Sequence, residues 1–358
     1  MFGNSEGTGT LAAGLTITIG GAGFVAGNLY FRNFTQTGAT AQSLNVTGTT
    51  VFTNYNSTWG GDLTVSSPRI TTRGTVYDGS TSLTKTSSGS DDSVGGNIFN
   101  SDVSFTNSST SRMRLSNSTG DDFNGSVSYI KTSTGGLNPA YNGTSTYAGD
   151  INFNTNTAIT LASSSGIVEL DGTVAESIND LAATSEPTFR RLVLNNTVNE
   201  ITLNTPITAS TAITFTEGNF ITTDANLLTL NDNISMFGAS DDSYVYGPVE
   251  KIGNDAFSFP VGDSGLYRPI SISAPSSGSA RFRARYYEQN PDPSYTYNLL
   301  DGDMNNVSSR EYWILDRTSG TNTVSVTLSW DSNSGGVGSL PDLRVARWDG
   351  AKWANHGN

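Results

Sequence analysis

The sequence predicts an all-β protein, a parallel β-helix (solenoid) followed by a β-sandwich-like domain. Three observations predict it. Only 14% of the 358 residues are charged, and Ser, Thr, Asn and Gly supply the polarity. One short pattern recurs at solenoid spacing, and composition changes near residue 240.

The pattern is an aromatic, a small residue two places on, then two apolar residues around a polar one. It reads Trp59-Gly60-Gly61-Asp62-Leu63-Thr64-Val65, Phe99 to Phe105, Phe123 to Tyr129 and Tyr147 to Phe153. Tyr77 to Leu83 is a fifth copy, with Thr81 at the first apolar place. Successive aromatics lie 18, 22, 24 and 24 residues apart, a period of solenoids and not of coiled coils. Residues i and i+2 of a strand share a face, so each apolar pair points one way and the intervening Ser, Thr or Asn the other. Such a coil buries its apolar face only against neighbouring coils. The Gly or Ser two after the aromatic reads as the turn that starts the strand.

Before the first copy, Leu15-Thr16-Ile17-Thr18-Ile19, Leu29-Tyr30-Phe31 and Leu44-Asn45-Val46 alternate between Gly or Thr clusters, as coils with more variable corners. After it, Leu192/Leu194, Ile201/Leu203, Ile213/Phe215 and Leu228/Leu230 keep the paired apolar positions without the aromatic. The solenoid is thus expected to reach about residue 235. Ala175 to Pro187 has helical composition and reads as a short helix or a loop leaving the stack. Ten coils at about 4.8 Å each make a rod of roughly 50 Å.

Six of the eleven prolines fall between Pro248 and Pro293, and four of the five tryptophans are Trp313, Trp330, Trp348 and Trp353. This shift divides the chain into a repeat region, 1–238, and a second module, 239–358. Ala280 to Tyr287 and Thr323 to Trp330 alternate strictly, as half-buried antiparallel strands do. A β-sandwich follows.

Gly247-Pro248-Val249-Glu250-Lys251, Phe257 to Gly262, Tyr267-Arg268-Pro269, Arg310-Glu311-Tyr312-Trp313 to Asp316-Arg317, and Asp342 to Gly350 resemble a module of very large secreted Bacteroidota proteins. Gly23-Phe24 to Gly38 is similar to their Asn/Thr/Gly-rich upstream repeats. The resemblance covers most of the chain. It implies a surface or gliding adhesin exported by the type IX secretion system, placed outside the cell, with the secretion machinery and outer-surface anchors as partners. The C-terminal sorting domain of such proteins does not follow Asn355-His356-Gly357-Asn358, so a fragment of something longer is expected, its second module truncated.

A net charge of −13 and a pI near 4.4 argue against nucleic acid or an anionic membrane as main partner. No apolar run is long enough to insert in a membrane, and Met1-Phe2-Gly3-Asn4 lacks the start of a signal peptide. The absence of cysteine removes disulfides, thiolate metal sites and cysteine nucleophiles. The only histidine, His356, lies beside the end of the chain, which leaves a serine triad without its base.

Asp301-Gly302-Asp303-Met304-Asn305 has the D-x-D-x-N spacing that lets alternate oxygens converge on calcium. It departs from the EF-hand pattern at Asn306 and Tyr312, and a plain polar turn is the alternative. Asp62, Asp102 and Asp150 recur just before the first apolar place, as stacked cation ligands or, more commonly, as corner residues satisfying local N–H groups. The aromatics Trp59, Tyr77, Phe99, Phe123 and Tyr147 read as a ladder packed inside the coil, with sugar-stacking platforms as the alternative. Arg281, Arg283 and Arg285 form a basic stripe, read as protection of a sheet edge or as a site for an acidic glycan. Asp92-Ser93-Val94 resembles the O-glycosylation site of exported Bacteroidota proteins, which implies a glycan on Ser93. Asn-x-Ser/Thr triplets such as Asn142-Gly143-Thr144 are expected by chance.

These readings favour a non-enzymatic structural and adhesive segment of a large secreted protein, in contact with surface glycans or other cells. The alternatives are a glycan-binding or polysaccharide-degrading β-helix, which needs clustered carboxylates or calcium with a base, and a self-associating filament subunit.

Overall fold

The computed structural model describes residues 9–17, 28–48, 50–183, 186–292, 294–336 and 338–357. Among them the chain is all-β, and the 3-10 turn Leu340–Asp342 is the sole helical element. Parallel strands stack into a solenoid of about ten turns. By contacts the chain divides into two compact units, Met1–Gly218 with Ile234–Phe237, and Asn219–Asn233 with Gly238–Asn358.

Each full coil of the first unit has three strand-bearing sides. On the aromatic side, Thr58–Trp59, Val76–Tyr77, Ile98–Phe99, Asp122–Phe123 and Thr144–Tyr147 pair in parallel, aromatic on aromatic. The long side carries Leu63–Ser67, Thr81–Lys85, Val103–Asn107, Val127–Lys131 and Ile151–Thr155, again without slip. The third side stacks Asn28–Arg32, Val51–Tyr55 and Arg69–Arg73, then Asp91–Asp92, Met113–Arg114 and Leu137–Asn138. The five copies read from the sequence are therefore five successive coils. A one-residue slip would turn every apolar column to solvent, which is why the register holds.

The repeated aromatics are buried. Ring centroids are 4.7 Å apart for Tyr77 and Phe99, 5.2 Å for Phe99 and Phe123, and 4.8 Å for Phe123 and Tyr147, all stacked. The rings follow the rise of the coils, so their faces meet each other and none is offered to a sugar. Phe105, Tyr129 and Phe153 form a second ladder at 6.0 Å per step.

Three local expectations change, and the glycines of the turn before the strand gain a second reason. Glu176–Asp180, within the segment read as a helix or loop, is a strand of the long side, paired with Ile151–Phe153 and with Ile201–Leu203. Its alternation buries Glu176 and Ile178, and pairing between coils overrides helix propensity there. The glycines two after the aromatic are needed for close approach of coils: a Cβ on Gly125 would lie 2.5 Å from the Ser101 carbonyl carbon, and one on Gly79 2.4 Å from Asp62 N. Ser101 is the exception, its hydroxyl donating to Asp78 O at 2.8 Å. Leu15 to Ile17 form no strand, while Thr18, Ile19 and the Gly23-Phe24 phrase up to residue 27 lie outside the described residues. Parallel pairing also continues past residue 235, Leu228–Leu230 with Val249–Lys251 and Val245–Tyr246 with Val261–Gly262.

In the second unit those parallel strands give way to antiparallel ones. Arg281–Tyr287 lies between Val249–Ile252 and Tyr312–Ser319, and Ile270–Ile272 lies between Phe257–Phe259 and Val326–Leu328. Phe282, Ala284 and Tyr286 of one sheet and Phe257, Phe259, Ile270 and Ile272 of the other are buried, the sandwich-like pattern that strict alternation produces.

Candidate functional site

Polar side chains of the first unit are organised by position in the coil. Asp62 Oδ1 accepts the Ser80 N–H at 2.9 Å, Asp102 Oδ1 that of Ser126 at 2.9 Å, and Asp150 Oδ1 that of Ser177 at 2.7 Å. The corner therefore alternates Asp, Ser, Asp, Ser, Asp, Ser, each carboxylate capping the next coil's serine. Alternation keeps like charges two coils, about 10 Å, apart. These aspartates satisfy backbone donors, as the commoner reading expects.

A second ladder was not anticipated. Ser57, Thr75, Asn97, Asp121 and Ser145 each stand two residues before an aromatic and are buried. Each accepts the backbone N–H of its counterpart one coil earlier, in four steps from Ser57 N donating to Thr75 Oγ1 to Asp121 N donating to Ser145 Oγ. Asp121, fully enclosed, also accepts from Ser116 at 2.6 Å, and burial holds its carboxyl above the usual range. The signal was present as polar residues at a fixed offset from the aromatic, at a place where a core residue is expected. Amides form outer ladders too, Asn179 donating to Asn152 and Asn204 to Asn179.

Buried ionisable side chains of the first unit also escaped sequence reading, Lys85, Asp91 and Glu176 among them. Lys85, fully enclosed, donates to Asp91 at 3.0 Å and to Gly89 O at 2.6 Å, while Asp91 accepts from Arg69 and the Ile70 N–H. Glu176 accepts from Asn196 at 2.9 Å, but its other oxygen is buried without a partner. Burial, with Asp171 and Asp150 nearby, pushes its pKa to about 7.

Ser93 is 1% exposed, and its Oγ accepts the Thr72 N–H at 3.1 Å. An O-linked sugar on that oxygen has no room in this fold. In the second unit, Asp301 pairs with Lys352 and accepts from the Asn355 N–H, and Asp303 accepts from Asn355 Nδ2 at 2.8 Å. The Lys352 ammonium holds the Asp301 carboxyl below the usual range. Asn305 is exposed. The three oxygen-bearing side chains thus sit in a turn tied to the strand Trp353–Asn355, and no cluster of three His, Cys, Asp or Glu suited to a metal occurs among the described residues.

The basic stripe is not at an edge, since its strand is paired on both sides. Arg281 pairs with Glu250 at 2.7 Å, Arg283 with Asp224 at 3.2 Å, and Arg285 lies over the Tyr287 ring. Several of the phrases that carry the resemblance contribute buried residues to this unit, among them Val249, Phe259, Val261, Arg268 and Glu311, while Asp342 to Gly350 lies at its surface. Buried Arg268 reaches Asp331 at 2.7 Å and faces Glu311 at 3.6 Å; Tyr286 donates to Glu311, and Trp313 Nε1 to Arg268 O. A shallow depression lined by Ser264, Leu266, Glu288, Arg310, Ser332 and Asn333 holds a single carboxylate. His356 lies in the Val345 pairing, its N–H donating to Val345 O.

The chain matches no protein-family model, no curated protein and no solved structure.

Proposed function

We propose that the chain is a non-enzymatic structural and adhesive segment of a large secreted surface protein, exported by the type IX route of a Bacteroidota bacterium. The observation that carries this reading is the use of polar side chains in the stack. Corner aspartates, buried hydroxyls and outer amides bond from coil to coil, which suits a part whose work is reach. The resembling phrases support it as well, because their Arg268, Glu311 and Trp313 join in one interior network, as the scaffold of a recurring module would.

The test is binding of the purified chain to a glycan array with and without calcium, alongside measurement of reducing ends released from the same glycans. Binding without release is the expected outcome. Calcium dependence abolished by Asp301→Asn with Asp303→Asn would assign the ion to residues 301–305. Release of reducing ends would overturn the non-enzymatic reading in favour of a polysaccharide-degrading β-helix.

A further inference from the structure

The cations of the first unit are not spread around it. Between residues 28 and 218 the sequence has nine lysines and arginines, and eight of them lie on the third side of the coil, reach into it, or stand at the corner that follows it. Arg32, Arg69 and Arg73 lie on its first strands, and Arg112 and Arg114 at Met113–Arg114. The side continues through Thr160–Leu161, paired with the start of Thr188–Leu203, where Arg190 and Arg191 follow. Lys85 reaches into it from the long side to meet Asp91; Lys131 alone lies elsewhere.

The strands of this side carry only Asp91 and Asp92 as acids, so seven guanidiniums face two carboxylates. Arg69 is held by Asp91, and Arg112 and Arg114 by Asp92. Arg32, Arg73, Arg190 and Arg191 have no carboxylate partner among the described residues, and the last two donate only to the carbonyls of Ser163 and Ser164. Tyr30 is exposed in the first of these strands, and the Arg114 guanidinium lies 3.7 Å from the Tyr141 ring centroid. A chain of net charge −13 thus presents one cationic sheet face, and screening beyond about 8 Å lets that local field act despite the net charge.

We infer that the third side of the solenoid is a docking face for an extended anionic polysaccharide carrying about one carboxylate per sugar. The inference rests on the adhesive reading above and names its ligand class. Charge spacing selects the occupant. Seven guanidiniums less two carboxylates over eight coils at about 4.8 Å leave roughly one net positive charge per 8 Å, nearer to a polyuronate than to a polymer of denser charge. Duplex nucleic acid carries one per about 1.7 Å and would leave most of its charge unmatched against an acidic protein. Arginine also suits the role, because its planar fork meets a carboxylate through two parallel N–H bonds.

Polygalacturonate and its fully methyl-esterified form are the probes, titrated against the whole chain at 50 and 200 mM salt. Binding is expected to the acid form alone and to weaken with salt. Arg32→Thr with Arg73→Thr, which breaks no ion pair with a described residue, should weaken it about tenfold and flatten the salt dependence. Lys131→Thr should leave it unchanged, with thermal melting confirming that both variants fold. Equal binding of the esterified polymer, no binding of the acid form, an unaffected double variant, or tighter binding of duplex DNA would each overturn the inference. If other glycans of the array are still bound, only this inference falls; if none is, the adhesive reading falls with it.

Discussion

Glu176 shows what a single buried carboxyl does to this stack. Burial is the main reason its pKa rises to about 7, and hydrogen bonds from Asn196 and the Gly172 backbone only partly oppose it. A carboxyl whose pKa is higher in the fold stabilises it fully below the unfolded value near 4.5 and loses that contribution as pH rises through about 7. Glu176 therefore weakens the fold between pH 5 and 8 by about 1–3 kcal/mol. Melting temperatures of wild type and Glu176→Gln should agree at pH 5 and favour the variant at pH 8, and a constant difference would refute the assignment. Lys85 makes the opposite case. Lys85→Met leaves buried Asp91 with half-exposed Arg69 as its one cation and the Ile70 N–H as its other donor, so urea unfolding should show a loss of about 3–5 kcal/mol.

Strands and corners derive their stability from the coils on either side. Phe99 stacks on Tyr77 below and Phe123 above, and meets Phe105 edge-on. Phe99→Ala should cost about 3–5 kcal/mol in equilibrium unfolding. Gly125→Ala places a methyl against the backbone of residues 101 and 102 and should cost about 1–3 kcal/mol. Gly302→Ala, with nothing within 4 Å, should be close to neutral. A similar cost at both glycines would mean that the coils do not approach as described.

Across the first unit, the alternation of corner Asp and Ser makes one-coil deletions unequal. Removing residues 100–123 joins Phe99 to Asn124, takes Asp102 with it and brings Ser80 against Ser126. Removing residues 124–147 joins Phe123 to Ala148, takes Ser126 and brings Asp102 against Asp150 at about 4.8 Å. Both deletions keep whole coils and should fold, since each coil needs only a neighbour of the same shape. The second should melt at the lower temperature, by the equivalent of about 1 kcal/mol, and the difference should shrink in high salt. Equal melting would place the corner charges too far apart to interact.

The sequence by itself determined the solenoid, the identity of its five aromatic copies and the strand Arg281–Tyr287 of the second unit, whereas Thr323 to Trp330 is a strand only over Val326–Leu328 and buries none of its side chains. An 18–24 residue spacing with period-2 alternation has few other folded solutions, and the pairing of Trp59, Tyr77, Phe99, Phe123 and Tyr147 follows it residue by residue. Only the tertiary structure decided where polar groups go, because their fate depends on the coil above. Ser93 reads as a surface acceptor and is interior. Ala175 to Pro187 reads as a short helix or a loop leaving the stack, yet Glu176–Asp180 is captured as a strand by its neighbours. The arginines, scattered over about 160 residues of sequence, gather on one side and the corner that follows it because the coil returns to the same place at each turn, which no spacing rule for a single strand could reveal.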